Sequence, residues 1–122
     1  MRLLLDTHVL LWAVLNDPRL TETQARAISE GDLYVSAASV WEIGIKRAIG
    51  KLDVPEELFD IAVDAGCRPL QISWTHAEAA AALPLHHTDP FDRMLIAQAR
   101  CENLRLASSD TKLAAYDVDL VR

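Results

Sequence analysis

Leu3-Leu4-Leu5-Asp6 opens the chain with an uninterrupted apolar run that stops at an acid. A strand apolar at every position, rather than at alternate ones, buries both faces, as a central strand of a parallel sheet does. Val9–Leu15 follows, almost wholly apolar and closed by the stop signal Asn16-Asp17-Pro18. The same alternation then runs outward along the chain. Thr21–Glu30 predicts a polar helix closed by Gly31-Asp32, and Leu33–Ser36 predicts a second strand. Ala38–Ile49 predicts a helix capped by Gly50, and Pro55–Ala65 another with proline at its first position. Pro69–Ile72 reads as a third strand and Thr75–Leu83 as an Ala-rich helix, and Asp89 opens a helix reaching to about Cys101. Leu104–Ala107 predicts a fourth strand, Ser108-Ser109-Asp110 opens a short helix to about Tyr116, and Val118–Val121 predicts an edge strand. This order implies an α/β fold: a three-layer α/β/α sandwich with a mostly parallel sheet of about five strands.

At 122 residues, with 51% hydrophobic and 25% charged residues, the composition is that of one globular domain over residues 1–122, with one sizeable core. No stretch is long and apolar enough for a membrane helix. Asp6 and His8 interrupt the apolar start and no small-residue cleavage site follows, so a signal peptide is a poorer reading than a strand end. A cytoplasmic location is the expectation. Cys67 and Cys101 match no zinc spacing and suggest no disulfide framework. The net charge of −6, from 18 acids against 12 bases, argues against holding nucleic acid on a broad basic face. It leaves room for a nucleic acid held through metal ions, which supply their own positive charge.

Four acids stand out by position. Asp6, Glu42, Asp92 and Asp110 each fall just past a strand-like run or early in the following helix. In an open parallel sheet the carboxyl ends of the strands share one edge, so these residues are expected to meet there. Each has a simpler alternative. Asp6 can cap the helix near Val9, Ser39 to Glu42 has capping-box spacing, and Asp89-Pro90-Phe91-Asp92 and Asp110 suit helix starts. Glu42, however, shares a helical stripe with Ala38, Ile45 and Ile49, which points its carboxylate toward the packed side. A buried carboxylate without a partner costs several kcal/mol or protonates. Four acids converging with no Lys or Arg nearby call for a hard divalent cation such as Mg2+ or Mn2+, for which carboxylates alone suffice.

The chain also resembles a known family. Leu4-Leu5-Asp6-Thr7-His8, Ser36-Ala37-Ala38-Ser39-Val40-Trp41-Glu42-Ile43, the stretch from His86 through Asp89-Pro90-Phe91-Asp92-Arg93 to Ala99, and Leu106-Ala107-Ser108-Ser109-Asp110 resemble PIN-domain ribonucleases, and among them the VapC-type toxins of bacterial toxin–antitoxin modules. The resemblance spans the whole length, and Asp89 to Ala99 is its most specific part. It implies a metal-dependent endoribonuclease in which Asp6, Glu42 and Asp92 are the principal metal-site acids and Asp110 the more variable fourth. It places hydroxyls at Thr7 and Ser108 beside the site, and it includes Asp89 and Arg93 in the motif. Asp89 can serve as a helix cap; Arg93 either steadies the acids or touches a phosphate. The resemblance further implies a metal-activated water, products ending in 5′-phosphate and 3′-hydroxyl, a homodimer, an RNA substrate and a cognate VapB-type antitoxin covering the site.

Such chemistry needs no histidine base, and His8, His86 and His87 read as surface or loop residues. Lys46, Arg47 and Lys51 are candidates for contact with an RNA backbone, or else a solvated helix end favoured by the macrodipole. Trp12, Trp41 and Trp74 are too scattered for a stacking platform; core packing, or a dimer surface for Trp12 and Trp41, suits them better. Three rivals remain. A receiver-type signalling domain needs a phosphate-accepting Asp after the third strand, where this chain has Ser73 and Trp74. A catalytically inactive PIN-fold binding protein would not need all four acids. A DNA-directed nuclease related to flap enzymes would need gripping segments for which this chain has no length.

Overall fold

The computed structural model describes residues 1–122. Arg2–Leu5 forms β1, the middle strand of a five-stranded sheet in the order β3-β2-β1-β4-β5, with every pairing parallel. The partners are β2 (Asp32–Ser36), β3 (Arg68–Leu70), β4 (Arg105–Ala107) and β5 (Leu120–Val121). Leu3 and Leu5 enter one core with Val9, Leu10, Ala27, Ile43, Leu58 and Ala62. Leu4 enters the other, with Ala38, Leu95, Ile96, Leu106 and Leu113. That split makes three layers and accounts for the unbroken apolar run. Each of the three leucines is at most 1% exposed, and such burial contributes about 1.5–3 kcal/mol per side chain.

On the first face lie α1 (Thr7–Val14), α2 (Glu22–Glu30) and α4 (Leu58–Asp64); on the second lie α5 (Trp74–Ala82), α6 (Pro90–Glu102) and a 3-10 helix, Thr111–Ala115. Helix α3 (Ala37–Ala48) contributes Ile43 to the first core and Ala38 to the second, and so bridges the layers. Its end matches the expected cap: Gly50 takes φ +73°, a left-handed conformation that a side chain would strain.

Three expectations fail locally. Helix α4 begins at Leu58 rather than at Pro55, whose carbonyl instead closes a turn with the Leu58 amide (3.2 Å) and accepts from Arg47 Nη2 (2.7 Å). The third strand ends at Leu70 rather than Ile72, because the Gln71 carbonyl leaves the ladder to accept from Gln98 Nε2 (3.2 Å). The stripe proposed for α3 is not a core stripe. The buried residues are Ala38, Ser39, Glu42 and Ile43, whereas Ile45 and Ile49 are 38% and 59% exposed.

Candidate active site

Register brings the chemistry to one edge. Leu5 pairs with both Val35 and Ala107, so Asp6, Ser36 and Ser108 follow their strands at the same carboxyl end. Asp6 leaves β1 and caps α1, with Oδ1 accepting from the Val9 amide at 2.8 Å. Ser36 caps α3, which places Glu42 near that edge on the side facing α1. Asp89 caps α6 through the amides of Phe91 and Asp92 and leaves the Asp92 carboxylate free for other work. Asp110 caps the 3-10 helix through the Lys112 amide (3.0 Å). Capping and convergence therefore coexist at Asp6 and Asp110: one oxygen organises backbone while the second remains available.

Each acid is held by named partners. Thr7 Oγ1 donates to Glu42 Oε1 at 2.7 Å and lies 3.0 Å from Ser39 Oγ. Lys46 Nζ donates to Glu42 Oε2, also at 2.7 Å. The expectation that no cation lies near the acids is thus corrected: Lys46, one turn along α3, compensates Glu42. The Ser39–Glu42 capping box does not form, since Ser36 is the cap and the Glu42 carboxylate is taken by Thr7 and Lys46. His87 Nε2 sits 2.8 Å from Asp92 Oδ2 and 3.9 Å from Asp110 Oδ2. Its side chain is 14% exposed, so His87 lies in the expected loop but turns inward as a member of the cluster rather than out to the surface. His86 remains outside it, its ring packed edge-to-face on Tyr116, whereas His8 lies near enough to Asp6 for its charge to pull that carboxyl down.

Burial sets the electrostatics. It pushes the Asp6 carboxyl above its ordinary range, against a Ser108 hydrogen bond and the Val9 amide that lower it, and neighbouring Glu42 raises it further. Asp92 is raised to about 6, first by burial, with His87 pulling down and the charges of Asp89 and Asp6 pushing up. The charge of Glu42 thus reaches Asp6, and that of Asp6 reaches Asp92. Four carboxylates with one lysine between them form a donor set rich in hard oxygens and short of positive charge, which fits a divalent cation.

The remaining candidates fall differently. Arg93 contacts none of the four acids directly. Its Nη1 donates to the carbonyls of Pro84 (3.0 Å) and His87 (3.3 Å) and to Tyr116 Oη (3.3 Å), and its Nη2 to the carbonyls of Ala80 and Leu83 (both 3.0 Å). It fastens the loop that carries His87. Tyr116 Oη helps by accepting from the His86 and His87 amides (3.2 and 2.9 Å). Arg47 is spent on the Pro55 carbonyl, and Lys46 on Glu42, which leaves Lys51 as the exposed member of the basic group. Beside Glu42 opens a cleft of about 430 Å³ lined by Glu42, Ile45, Lys46, Thr88, Asp89, Pro90 and Phe91. A larger groove of about 660 Å³, between α5, α6 and the 3-10 helix, holds none of the four acids.

The family model of the PIN domain matches residues 3–119 of this sequence. The chain belongs to the PIN domain family. No curated protein sequence matches it at a significant level. Solved structures share the PIN architecture. VapBC2 from Rickettsia felis bound to a DNA fragment from their promoter aligns at TM-score 0.72 and 14% identity, over 98% of this chain and 97% of that one. A toxin–antitoxin complex from Klebsiella pneumoniae aligns at 0.70 and 20%, over 98% and 95%. FitAcB from Neisseria gonorrhoeae aligns at 0.66 and 21%, over 98% and 96%. At such identities the likeness is one of fold. As a PIN domain the chain has no need of the phosphate-accepting Asp of a receiver, and the residues after β3 supply none.

Glu42 provides a test of this arrangement that is independent of activity. Thr7→Val keeps the shape of the side chain and deletes the donor to a carboxylate that is 5% exposed. An unmatched buried acceptor costs about 1–3 kcal/mol, so urea unfolding is expected to show a lowered midpoint at unchanged slope. An unaltered midpoint would mean that Lys46 alone satisfies Glu42.

Proposed function

We propose that this PIN domain is a metal-dependent endoribonuclease acting as the VapC-like toxin of a toxin–antitoxin module. What supports the reading is the chain of neighbouring acids at the carboxyl edge of a parallel sheet: the charge of Glu42 acts on Asp6 and that of Asp6 on Asp92, Asp6 and Asp92 both being raised by burial, and Asp92 and Asp110 lie with His87 in one group. Under this reading one domain spans the chain, works in the cytoplasm as a homodimer, and is silenced by a VapB-type antitoxin. The similar solved structures include a toxin–antitoxin complex and a VapBC complex, which supports the last point. Val40, Trp41 and Ile45 project from α3, and Ile49 from its C-cap, at 45%, 65%, 38% and 59% exposure. An apolar strip of that kind beside the cleft suits a protein partner. No helix is long and apolar enough to cross a membrane.

The four acids would hold Mg2+ or Mn2+, which when bound supplies positive charge at the scissile phosphate and makes a water acidic enough to attack at neutral pH. The chain's own residues prepare the place. The Val9 amide and Ser108 fix Asp6, and Thr7 and Lys46 fix Glu42. Burial keeps competing water from Asp6 and Glu42, 4% and 5% exposed. Lys46, beside the cleft, can turn from Glu42 toward a phosphate once a cation takes over the compensation of that carboxylate, and Lys51 extends the positive charge along the same edge. Phosphodiester hydrolysis by this route leaves a 5′-phosphate and a 3′-hydroxyl.

Purified protein incubated with total transfer and ribosomal RNA is expected to cleave in Mn2+ or Mg2+ and to stop in EDTA, with activity restored by either cation. End-labelling should find 5′-phosphates on the products. Cleavage that persists in chelator would remove the cation from the mechanism. No cleavage of RNA under any cation would favour a PIN fold kept for binding alone.

A further inference from the structure

We propose that His87 is a direct nitrogen ligand of the cation and biases the site toward Mn2+ over Mg2+. The inference rests on the proposed acidic metal site and adds to it a group that a four-carboxylate site does not require. His87 Nε2, an Asp92 oxygen and an Asp110 oxygen all lie within 4.8 Å of one another. An octahedral ion with ligands at about 2.1 Å holds neighbouring donors about 3 Å apart and opposing donors about 4.2 Å apart. The His87–Asp92 and His87–Asp110 separations, 2.8 and 3.9 Å, fall close to that pattern. One cation placed among them needs only small shifts of side chains that already face each other.

The imidazole is also delivered rigidly. The His87 amide donates to Tyr116 Oη (2.9 Å) and its carbonyl accepts from Arg93 Nη1 (3.3 Å). Both anchors come from outside the loop: Arg93, the residue that closes the first turn of α6, and Tyr116, at the end of the 3-10 helix that Asp110 begins. His87, Asp92 and Asp110 are thus tied to one another through the backbone as well as across the cluster. A pendant surface histidine would need no such frame.

Ligand chemistry then gives the preference. Mg2+ takes oxygen and sheds water reluctantly; Mn2+ also accepts carboxylate and water, but it opens the transition series whose members take imidazole nitrogen beside oxygen. Without His87 the donors are carboxylates, which both cations accept. With it, the site gains a bond that Mn2+ uses well and Mg2+ uses poorly.

Binding, not turnover, tests this. Titration of the full chain with MnCl2 and MgCl2 by calorimetry is compared for wild type and His87→Gln, whose amide can still hydrogen-bond to Asp92. The wild type should bind Mn2+ more tightly than Mg2+, and H87Q should lose on the order of tenfold in Mn2+ affinity with little change for Mg2+. Pulsed EPR of the wild-type Mn2+ sample should show modulation from a coordinated imidazole nitrogen, absent in H87Q. A nitrogen-free Mn2+ spectrum, or equal losses for both cations, would overturn the inference and reduce His87 to a hydrogen-bonding neighbour of Asp92. If the wild type binds neither cation, the acidic metal site fails and the inference fails with it.

Discussion

Asp6→Asn and Asp92→Asn are each expected to lower ribonuclease activity by about 10³-fold or more while making the metal-free protein more stable. The first effect follows from removing a charged ligand from a site whose work is electrostatic. The second follows from the direction of the pKa shifts. Burial raises both carboxyls above their ordinary value, Asp92 to about 6 from 3.8. A raised acid binds its proton more tightly in the folded than in the unfolded state. Its stabilising contribution is therefore complete below the unfolded value, shrinks as pH rises between 3.8 and about 6, and is gone above. At pH 7 the folded apoprotein bears the cost of two desolvated carboxyls, as buried charge or as proton uptake, that asparagine would not. For Asp92 the gain on substitution is on the order of 2 kcal/mol at pH 7, and it should vanish near pH 4. Melting in EDTA at both pH values measures it. Added Mn2+ should raise the melting temperature of the wild type and leave that of either variant nearly unchanged. A variant that is destabilised at pH 7 in EDTA, yet still cleaves, would show that these acids serve the fold rather than the chemistry.

How much of this was legible beforehand depends on the range of the interaction. Leu3-Leu4-Leu5 declared a strand buried on both faces because side-chain alternation is a local property, and the sheet bears that out. Asp89-Pro90-Phe91-Asp92 encoded its own helix start in adjacent residues, and Asp89 caps as its position suggests. Convergence of the acids at one edge followed from parallel topology. What stayed hidden was who touches whom across elements. Lys46 is one turn from Glu42 and could have been found by i to i+4 spacing. His87 was missed because a loop has no periodicity to orient a side chain. The one available signal was an imidazole five residues before Asp92 within the motif. Tyr116 gave none, since its hydroxyl reaches the His86 and His87 amides across a separation of 30 and 29 residues. The Ala38–Ile49 stripe misled for a related reason: α3 is buried along its Glu42 and Ile43 side and leaves Ile45 and Ile49 to solvent.

Arg93→Ala is expected to cost about 3 kcal/mol of stability and most of the activity, although Arg93 contacts none of the four acids. Five oxygens from α5, its C-cap Leu83, the Pro84–Thr88 loop and Tyr116 converge on its two terminal nitrogens. Alanine leaves those carbonyls without a donor and frees the segment whose histidine faces Asp92 and Asp110. Arg93→Lys distinguishes this role from a charge effect. An ammonium is a single point with three donors and cannot span two clusters of acceptors as a planar guanidinium does. Lysine should therefore recover only a minor part of the lost stability, and cleavage measured well below its melting temperature should stay low in kcat. A contact with the RNA phosphate predicts the opposite: full stability in both variants, a raised KM, and rescue by lysine. The direction of the five hydrogen bonds, all onto the protein's own oxygens, favours the first outcome. The arginine of this motif then acts as the clasp that keeps the loop closed over the acids.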